Sequence, residues 1–368
     1  MYLKSLSITN FKNIEEARLD FSRGVNGLLG NNGMGKSNLL DAIYFLSFCR
    51  SFTGLTDQGV MRRGADFFSL HGKYERHGTD EEVSAGMNRG KRKVIKRKGK
   101  EYERLSQHIG VFPAVLVAPR DIELITGPGE ERRRLMDMVI SQSDAAYLDA
   151  LIRYGRSLEQ RNKLLRAHVV DHHLYEAIEM SLSMAAKRIH ETRMAWLPKF
   201  SGLLSQYYSA IAGEGETAAV TLRSHQAEEP DLTKLLDGAR RHDEAVGYTS
   251  VGPHRDDLTI TVDGLEARRS ASQGQCKSVT LGMRLAQYDF LREATGLKPL
   301  FLLDDIFDKL DSTRVQRIVE IVKSDKFGQI FITDTNRDHL DNILRESGGE
   351  RAMWHVEKGV FTPFSTEG

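Results

Sequence analysis

Hydrophobic positions recur in two rhythms along this chain, and the change of rhythm divides it. Near the N-terminus the apolar residues come in short runs: Leu3, Leu6 and Ile8, then Val25, Leu28 and Leu29. Such runs, punctuated by Gly24, Gly30, Gly54, Gly64, Gly72 and Gly78, predict strands joined by turns. The stretch Asn38–Leu46 has the length and apolar spacing of a helix. From residue 131 to 212 the spacing becomes helical throughout. Leu151, Tyr154, Leu158 and Leu165 share one face, and Leu174, Ile178, Leu182, Ala185 and Ile189 share another. A break at Val169–His173 predicts an antiparallel helix pair, with Pro198 bending or ending the second arm. Each arm, at roughly 23 to 27 residues, would reach about 35–40 Å. Strand patterns return at Ala218–Leu222 and Leu258–Val262, followed by a Gly-Gln turn, a helix near Cys276 and the apolar run Pro299–Leu303.

Between the second apolar run and the first helix lies Gly30-Asn31-Asn32-Gly33-Met34-Gly35-Lys36-Ser37, which fits the phosphate-loop pattern G-x-x-x-x-G-K-[ST] at every fixed position. Consecutive backbone N–H groups in a Gly-rich turn, leading into a helix N-terminus at Asn38, hold a triphosphate without reorganising. Lys36 is expected to reach the β- and γ-phosphates and Ser37 to ligate Mg²⁺. Phe301-Leu302-Leu303-Asp304-Asp305 reads as a buried strand ending in two carboxylates. At that place in phosphate-loop NTPases the acid holds the metal with the loop hydroxyl, which makes Asp304 the second Mg²⁺ ligand. Asp305 is then the candidate base that orients or deprotonates the attacking water. Lys36 lies in the first tenth of the chain and Asp304 beyond residue 270, so the helical segment reads as an insertion into one ATPase domain. The expected ranges are 1–130 for the N-terminal part of that domain, 131–245 for a mainly helical insertion and 246–368 for the C-terminal part.

Composition narrows the picture little. The 368 residues are 40% hydrophobic and 28% charged, ordinary values for a globular protein of about two domains. A net charge of +1 supplies no global attraction to nucleic acid, so such binding would need a local patch. One exists: residues 89–100 carry eight basic residues in twelve (Arg89, Lys91, Arg92, Lys93, Lys96, Arg97, Lys98 and Lys100) with no acid. Val94 and Ile95 between the basic flanks suggest a hairpin within 83–103 that could neutralise DNA phosphates without reading sequence. Two cysteines, Cys49 and Cys276, fit a reducing compartment, and no signal-peptide pattern or long apolar span is seen. The expected address is cytoplasmic.

The tetrapeptide Ser272-Gln273-Gly274-Gln275 stands 32 residues ahead of Asp304, where ABC-type ATPases carry their S-G-G-Q signature. That likeness implies that Ser272 contacts the γ-phosphate held by a second copy, so that ATP joins two chains and hydrolysis releases them. It also implies a subunit-contact loop at Asp308-Lys309-Leu310-Asp311, with Asp311 as the contact. Phe331-Ile332-Thr333-Asp334 ends a strand at which many ABC proteins place a switch histidine; here the residue is Asp334.

With three further segments, the chain resembles the RecF family of bacterial recombination-repair ATPases, related to SMC and Rad50 heads. Those segments are Ile8–Asn13, the stretch from Arg120–Leu124 to Glu130–Arg134, and Ser250-Val251-Gly252-Pro253-His254-Arg255-Asp256-Asp257-Leu258. The resemblance runs to about residue 340 and is weakest in the helical arms. Cys276 and Lys277 replace a more usual Gln-Arg, and Ala271 replaces the apolar residue before the signature. The resemblance implies an α/β fold, an ABC-type phosphate-loop ATPase head with an inserted α-helical arm domain. It implies ATP and Mg²⁺ as cofactors and slow, DNA-stimulated hydrolysis. It implies an ATP-dependent homodimer on DNA at gaps or junctions, working with RecR and RecO in recombinase loading, replication restart and the SOS response. Competing readings are a transporter ATPase, which would need a membrane partner, an SMC-like tether, which would need far longer arms, and an ATP-sensing scaffold in which Asp305 is only structural.

Overall fold

The computed structural model describes residues 1–213, 215–306, 312–337, 340 and 350–364. Packing divides the chain into two units, Met1–Asp121 with Gln287–Gly368, and Ile122–Ala286.

The first unit holds two six-stranded sheets. One is antiparallel, in the order β2-β1-β4-β5-β6-β7, built from β1 (Tyr2–Phe11), β2 (Ile14–Asp20), β4 (Phe67–Arg76), β5 (Thr79–Asn88), β6 (Val94–Arg97) and β7 (Lys100–Glu101). In β1 the buried residues are Leu3, Leu6, Ile8 and Phe11; a register shift between Leu3 and Ser5 explains why the first step is three residues and the next is two. The other sheet runs β15-β14-β3-β13-β12-β8, from β3 (Val25–Leu29), β8 (Ala114–Val117), β12 (Leu300–Asp304), β13 (Ile330–Asp334), β14 (Arg351–Glu357) and β15 (Val360–Pro363). Its strands are parallel except for the β14–β15 pair, and β3, β12 and β13 are buried along their whole length. Covered on both faces, such strands read as continuous apolar runs.

Helix Lys36–Phe48 packs against both sheets and is buried nearly all round, which its run of Leu, Ile, Tyr and Phe requires. Phe45 meets Phe11 and Phe68 edge-on at 5.9 and 5.6 Å, pairs worth about 0.5–1.5 kcal/mol each beyond simple burial.

The second unit contains helices Gly129–Ser141, Ala145–Arg166, His172–Ala212 and Leu232–Val246, with a small sheet of β9 (Ala218–Arg223), β10 (Asp257–Val262) and β11 (Leu265–Glu266). Asp144 and Asp171 cap the two long helices by accepting from the Tyr147 and Leu174 N–H groups. Pro198 neither ends nor splits the second arm: the helix continues through it for 41 residues, about 60 Å. Pro198 faces solvent, where water can serve the carbonyl that loses its partner, while Trp196 and Phe200 stack at 4.4 Å on the buried side.

This unit starts before residue 131 and extends well past 245, because the 249–258 segment is bonded into the helices by buried ions. Arg161, fully buried, donates to Glu179 (2.9 Å), Asp243 (2.6 Å) and Thr249 (2.9 Å). Asp243 also accepts from the Ser250 N–H and hydroxyl. Arg193, 2% exposed, donates to Asp256 (2.6 Å), Asp137 (2.8 Å) and the Pro253 carbonyl. His254 accepts from the Tyr154 hydroxyl on Nδ1 and donates from Nε2 to the Thr249 carbonyl. Burial pushes its pKa down to about 4, so it is a neutral strut.

Candidate functional site: a nucleotide-binding head

The phosphate loop connects β3 to helix Lys36–Phe48. Gly30 sits against β14, where a Cβ would come 2.3 Å from the Val356 carbonyl oxygen, so only glycine fits. Gly35, at φ +117°, is the helix N-cap in a conformation other residues rarely adopt. Neighbouring turns clasp the loop. Asn13, between β1 and β2, donates to the Met34 carbonyl (3.3 Å) and accepts from Asn38 (2.7 Å). From the β14–β15 turn, the Gly359 N–H donates to the same carbonyl at 2.7 Å. Asn31, Asn32 and Gly33 are exposed at the loop crest.

Sheet order explains how distant segments meet. One strand, β13, separates β3 from β12, so the carboxylates ending β12 lie about two strand spacings, roughly 10 Å, from the loop strand. Side chains span that gap: the Ser37 hydroxyl donates to Asp304 Oδ1 at 2.8 Å. Thr333, on the intervening strand and fully buried, donates to the same oxygen at 2.9 Å and accepts from the Asp305 N–H at 2.9 Å. Burial raises the Asp304 pKa despite these hydrogen bonds and the Lys36 charge. Asp305 follows in a left-handed conformation, φ 49°.

Lys36 turns back on its own loop, donating to the Gly30 and Asn31 carbonyls. Burial pulls its ammonium below the ordinary value, against the opposing pull of Asp305, Asp304 and Asp334. Asp334 is buried at the end of β13, its carbonyl near the Gly30 N–H (3.4 Å) and its carboxylate accepting from Asn336 N–H. Deeper under the loop, buried Asp41 pairs with Lys12 at 2.6 Å and accepts from Ser51 and the Phe52 N–H. Sequence reasoning missed Thr333 and Asp41. A hydroxyl one residue before the strand-end acid was the only available signal for the first, and a buried acid within an apolar helix for the second.

In the second unit, Ser272 and Gln275 form a reciprocal cap at the start of helix Gln273–Thr295. Ser272 N–H donates to Gln275 Oε1 (2.9 Å) and Gln275 N–H donates to Ser272 Oγ (3.2 Å). Ser272 and Gln273 remain exposed, and Gln275 also donates to Glu216 at 3.0 Å. Asp311 lies outside the described residues.

The basic segment forms the end of the antiparallel sheet, and its eight residues are not equivalent. Arg97 holds the buried Glu81 through two hydrogen bonds (2.6 and 2.9 Å), and Lys93 donates to the Cys49 carbonyl and to Asp57 (2.9 Å). These two are committed to the fold, so a free-standing array of eight cations is not what the hairpin offers. Arg92 faces Glu101, Arg89 faces Asp66 and Lys98 approaches Glu81 at 3.7 Å. Lys91, Lys96 and Lys100 are exposed, and among the described residues no acid lies within ion-pair distance of them.

The RecF/RecN/SMC N-terminal domain family matches residues 2–352. A protein of Bacteroides fragilis, DNA replication and repair protein RecF, is 46% identical over 98% of this chain and 98% of its own. The chain belongs to the RecF family. Two solved RecF structures share the fold at 29% identity, covering 99% of this chain and 98% of theirs. They are the recombination mediator protein RecF-ATPrS in the RecFOR pathway, TM-score 0.89, and its RecF-ATP counterpart, TM-score 0.88. The RecF head is thus an α/β ABC-type ATPase fold carrying a helical second unit. Among the described residues no helix is long and apolar enough to cross a membrane.

Proposed function

We propose that this chain is an ATP-switched DNA-binding protein of recombinational repair, acting at single-strand gaps or single/double-strand junctions. ATP binding would draw two copies together on DNA, where they help load recombinase with RecR and RecO; slow, DNA-stimulated hydrolysis would release them. Replication restart and the SOS response are the processes served, in the cytoplasm. Membership of the RecF family and the names of its relatives, a replication and repair protein and a mediator of the RecFOR pathway with bound ATP, support this assignment.

The observation that carries the chemistry is the Ser37–Asp304 contact at 2.8 Å beside a fully formed phosphate loop. A buried carboxylate and a hydroxyl make an oxygen-only donor set that suits Mg²⁺. When bound, the ion neutralises charge on the triphosphate. The N–H groups of Gly30–Asn38 would grip the phosphate tail, with Lys36 leaving its loop carbonyls for the phosphates. Asp305, its N–H tied to Thr333, would accept the proton of the attacking water. Asp334 adds negative charge near the strand end where a sensing histidine would aid turnover, which suits slow hydrolysis. The exposed N-terminus of helix Gln273–Thr295, with Ser272, Gln273, Gly274 and Gln275, would cap the γ-phosphate held by the other copy.

Light scattering with a gapped duplex tests the switch. Wild type should dimerise with ATP, whereas Ser272→Arg should bind ATP and remain monomeric. A Ser272→Arg protein that still dimerises removes the role of this turn between copies; a wild type that never dimerises removes the switch itself.

A further inference from the structure

The second unit contains a cavity of about 210 Å³ on which four guanidinium groups converge from three separate segments. Arg132 comes from helix Gly129–Ser141, Arg223 from the end of β9, and Arg268 and Arg269 from the turn after β11. Among the described residues two carboxylates line it, Asp257 and Glu266, against four guanidinium groups.

The carboxylates are already engaged. Arg132, buried, grips Asp257 with a two-pronged fork (2.8 and 2.9 Å) and donates from Nη1 to the Leu124 and Gly127 carbonyls. Burial opposes it, yet the bonds and charge of Arg132 hold the Asp257 carboxyl below its ordinary range. Arg223 stands opposite Asp257 in the β9–β10 register but reaches it only at 3.7 Å. Arg269 pairs with Glu266 at 3.4 Å from a largely exposed position, and Arg268 is exposed, with no acid among the described residues within ion-pair distance. The Arg132–Asp257 pair therefore forms the floor, and three largely exposed arginines stand round the rim.

We propose that this cavity is a binding site for a single phosphate group, separate from the nucleotide site. Guanidinium forks match phosphate oxygens two at a time, and an anion shared by three of them relieves their mutual repulsion. The phosphate can come from a nucleic-acid backbone or from a free phosphate ion; the chemistry is the same.

The test uses the full chain without nucleotide and two probes, a blunt DNA duplex and inorganic phosphate. Arg268→Gln/Arg269→Gln and, on another segment, Arg223→Gln are compared with Arg153→Gln/Arg156→Gln, an exposed pair on the first arm. Arg132 is left intact because it holds Asp257, and matching melting temperatures certify the fold. If the source is DNA, both rim variants flatten the dependence of log affinity on log salt by about 1, the share of one phosphate contact, and the arm variant does not. If the source is the free ion, the duplex slope stays and calorimetric phosphate binding weakens at least tenfold in the rim variants alone. The proposal is overturned if neither probe distinguishes rim from wild type, or if the arm variant loses as much. The DNA-binding assignment stands or falls separately: a chain that never binds duplex yet loses phosphate binding in the rim variants keeps the pocket and loses that assignment.

Discussion

Thr333 joins the two acids of the nucleotide site, and replacing it by Val isolates what that junction does. The side chains have nearly the same shape, so the core around β13 should stay packed while both hydroxyl contacts vanish. One is the donation to Asp304 Oδ1 (2.9 Å) and the other the acceptance from Asp305 N–H (2.9 Å). A hydrogen bond to a charged group contributes about 1.5–3 kcal/mol and a neutral one about 0.5–1.5. The added methyl returns roughly 0.8 kcal/mol. The net loss should be about 2 kcal/mol, read as a lower urea midpoint at unchanged slope. The kinetic loss should be larger in proportion. With its N–H released, Asp305 need move only about 1 Å to lose on the order of 10²-fold in turnover. Lys36, Ser37 and the loop amides are untouched, so nucleotide affinity should change less than about threefold, under 0.7 kcal/mol. Thr333→Ser, which keeps the hydroxyl, should restore turnover in a single-turnover phosphate-release assay. Equal release rates for the Val and Ser variants would refute the reasoning, because Thr333 would then be a packing residue only.

Asp305→Asn should bind Mg·ATP but hydrolyse it at least about 100-fold more slowly, the scale of a lost general base, and accumulate dimer by light scattering; normal phosphate release would exclude the base role. Neutralising Lys91, Lys96 and Lys100 together should reduce the salt slope of duplex binding by about 2–3 without lowering the melting temperature, whereas Arg97→Gln should cost stability through Glu81; an unaltered slope rules the hairpin out. Arg161→Met leaves Asp243 buried without its cation and Glu179 with Arg240 alone, and should cost about 3–5 kcal/mol in urea unfolding, with nucleotide affinity preserved. A loss below about 1 kcal/mol would mean that those acids find other partners.

What could be read from the chain alone tracks where local pattern and global packing agree. The strands of the first unit announce themselves because β3, β12 and β13 are buried along their length and are therefore mostly apolar. The phosphate loop is legible because its chemistry is local: eight consecutive residues carry both conformation and function. Thr333 was not legible, since its importance arises from β13 lying between β3 and β12, and linear order does not state which strands are neighbours. The same holds for Arg161 and Arg193. On a helix wheel they fall within the apolar faces, where linear order does not say what would pair with them, and each is buried among carboxylates 18 to 82 residues away. The 250–258 block acquires a physical meaning only with them: Ser250, Asp256 and Asp257 are the acceptors and donors that fasten the loop to the helices. Pro198 misled for the opposite reason, because a helix packed along one side tolerates a missing hydrogen bond on the other.

Ser272 shows how one short motif can carry two meanings without conflict. In the reciprocal cap its Oγ accepts from Gln275 N–H, which uses an oxygen lone pair and leaves the hydroxyl hydrogen available to donate. Gln275 reaches back to the Ser272 N–H, so the turn is already fixed before any partner arrives. A preformed turn loses little conformational freedom on docking to a phosphate. The cap itself should contribute only about 1 kcal/mol to the fold. Ser272→Ala and Ser272→Arg should therefore lose similar, small amounts of stability. Their dimers should differ sharply, because the alanine leaves the helix N-terminus open to the phosphate while the arginine fills it. If both variants dimerise with ATP as wild type does, the motif is a helix cap and nothing more.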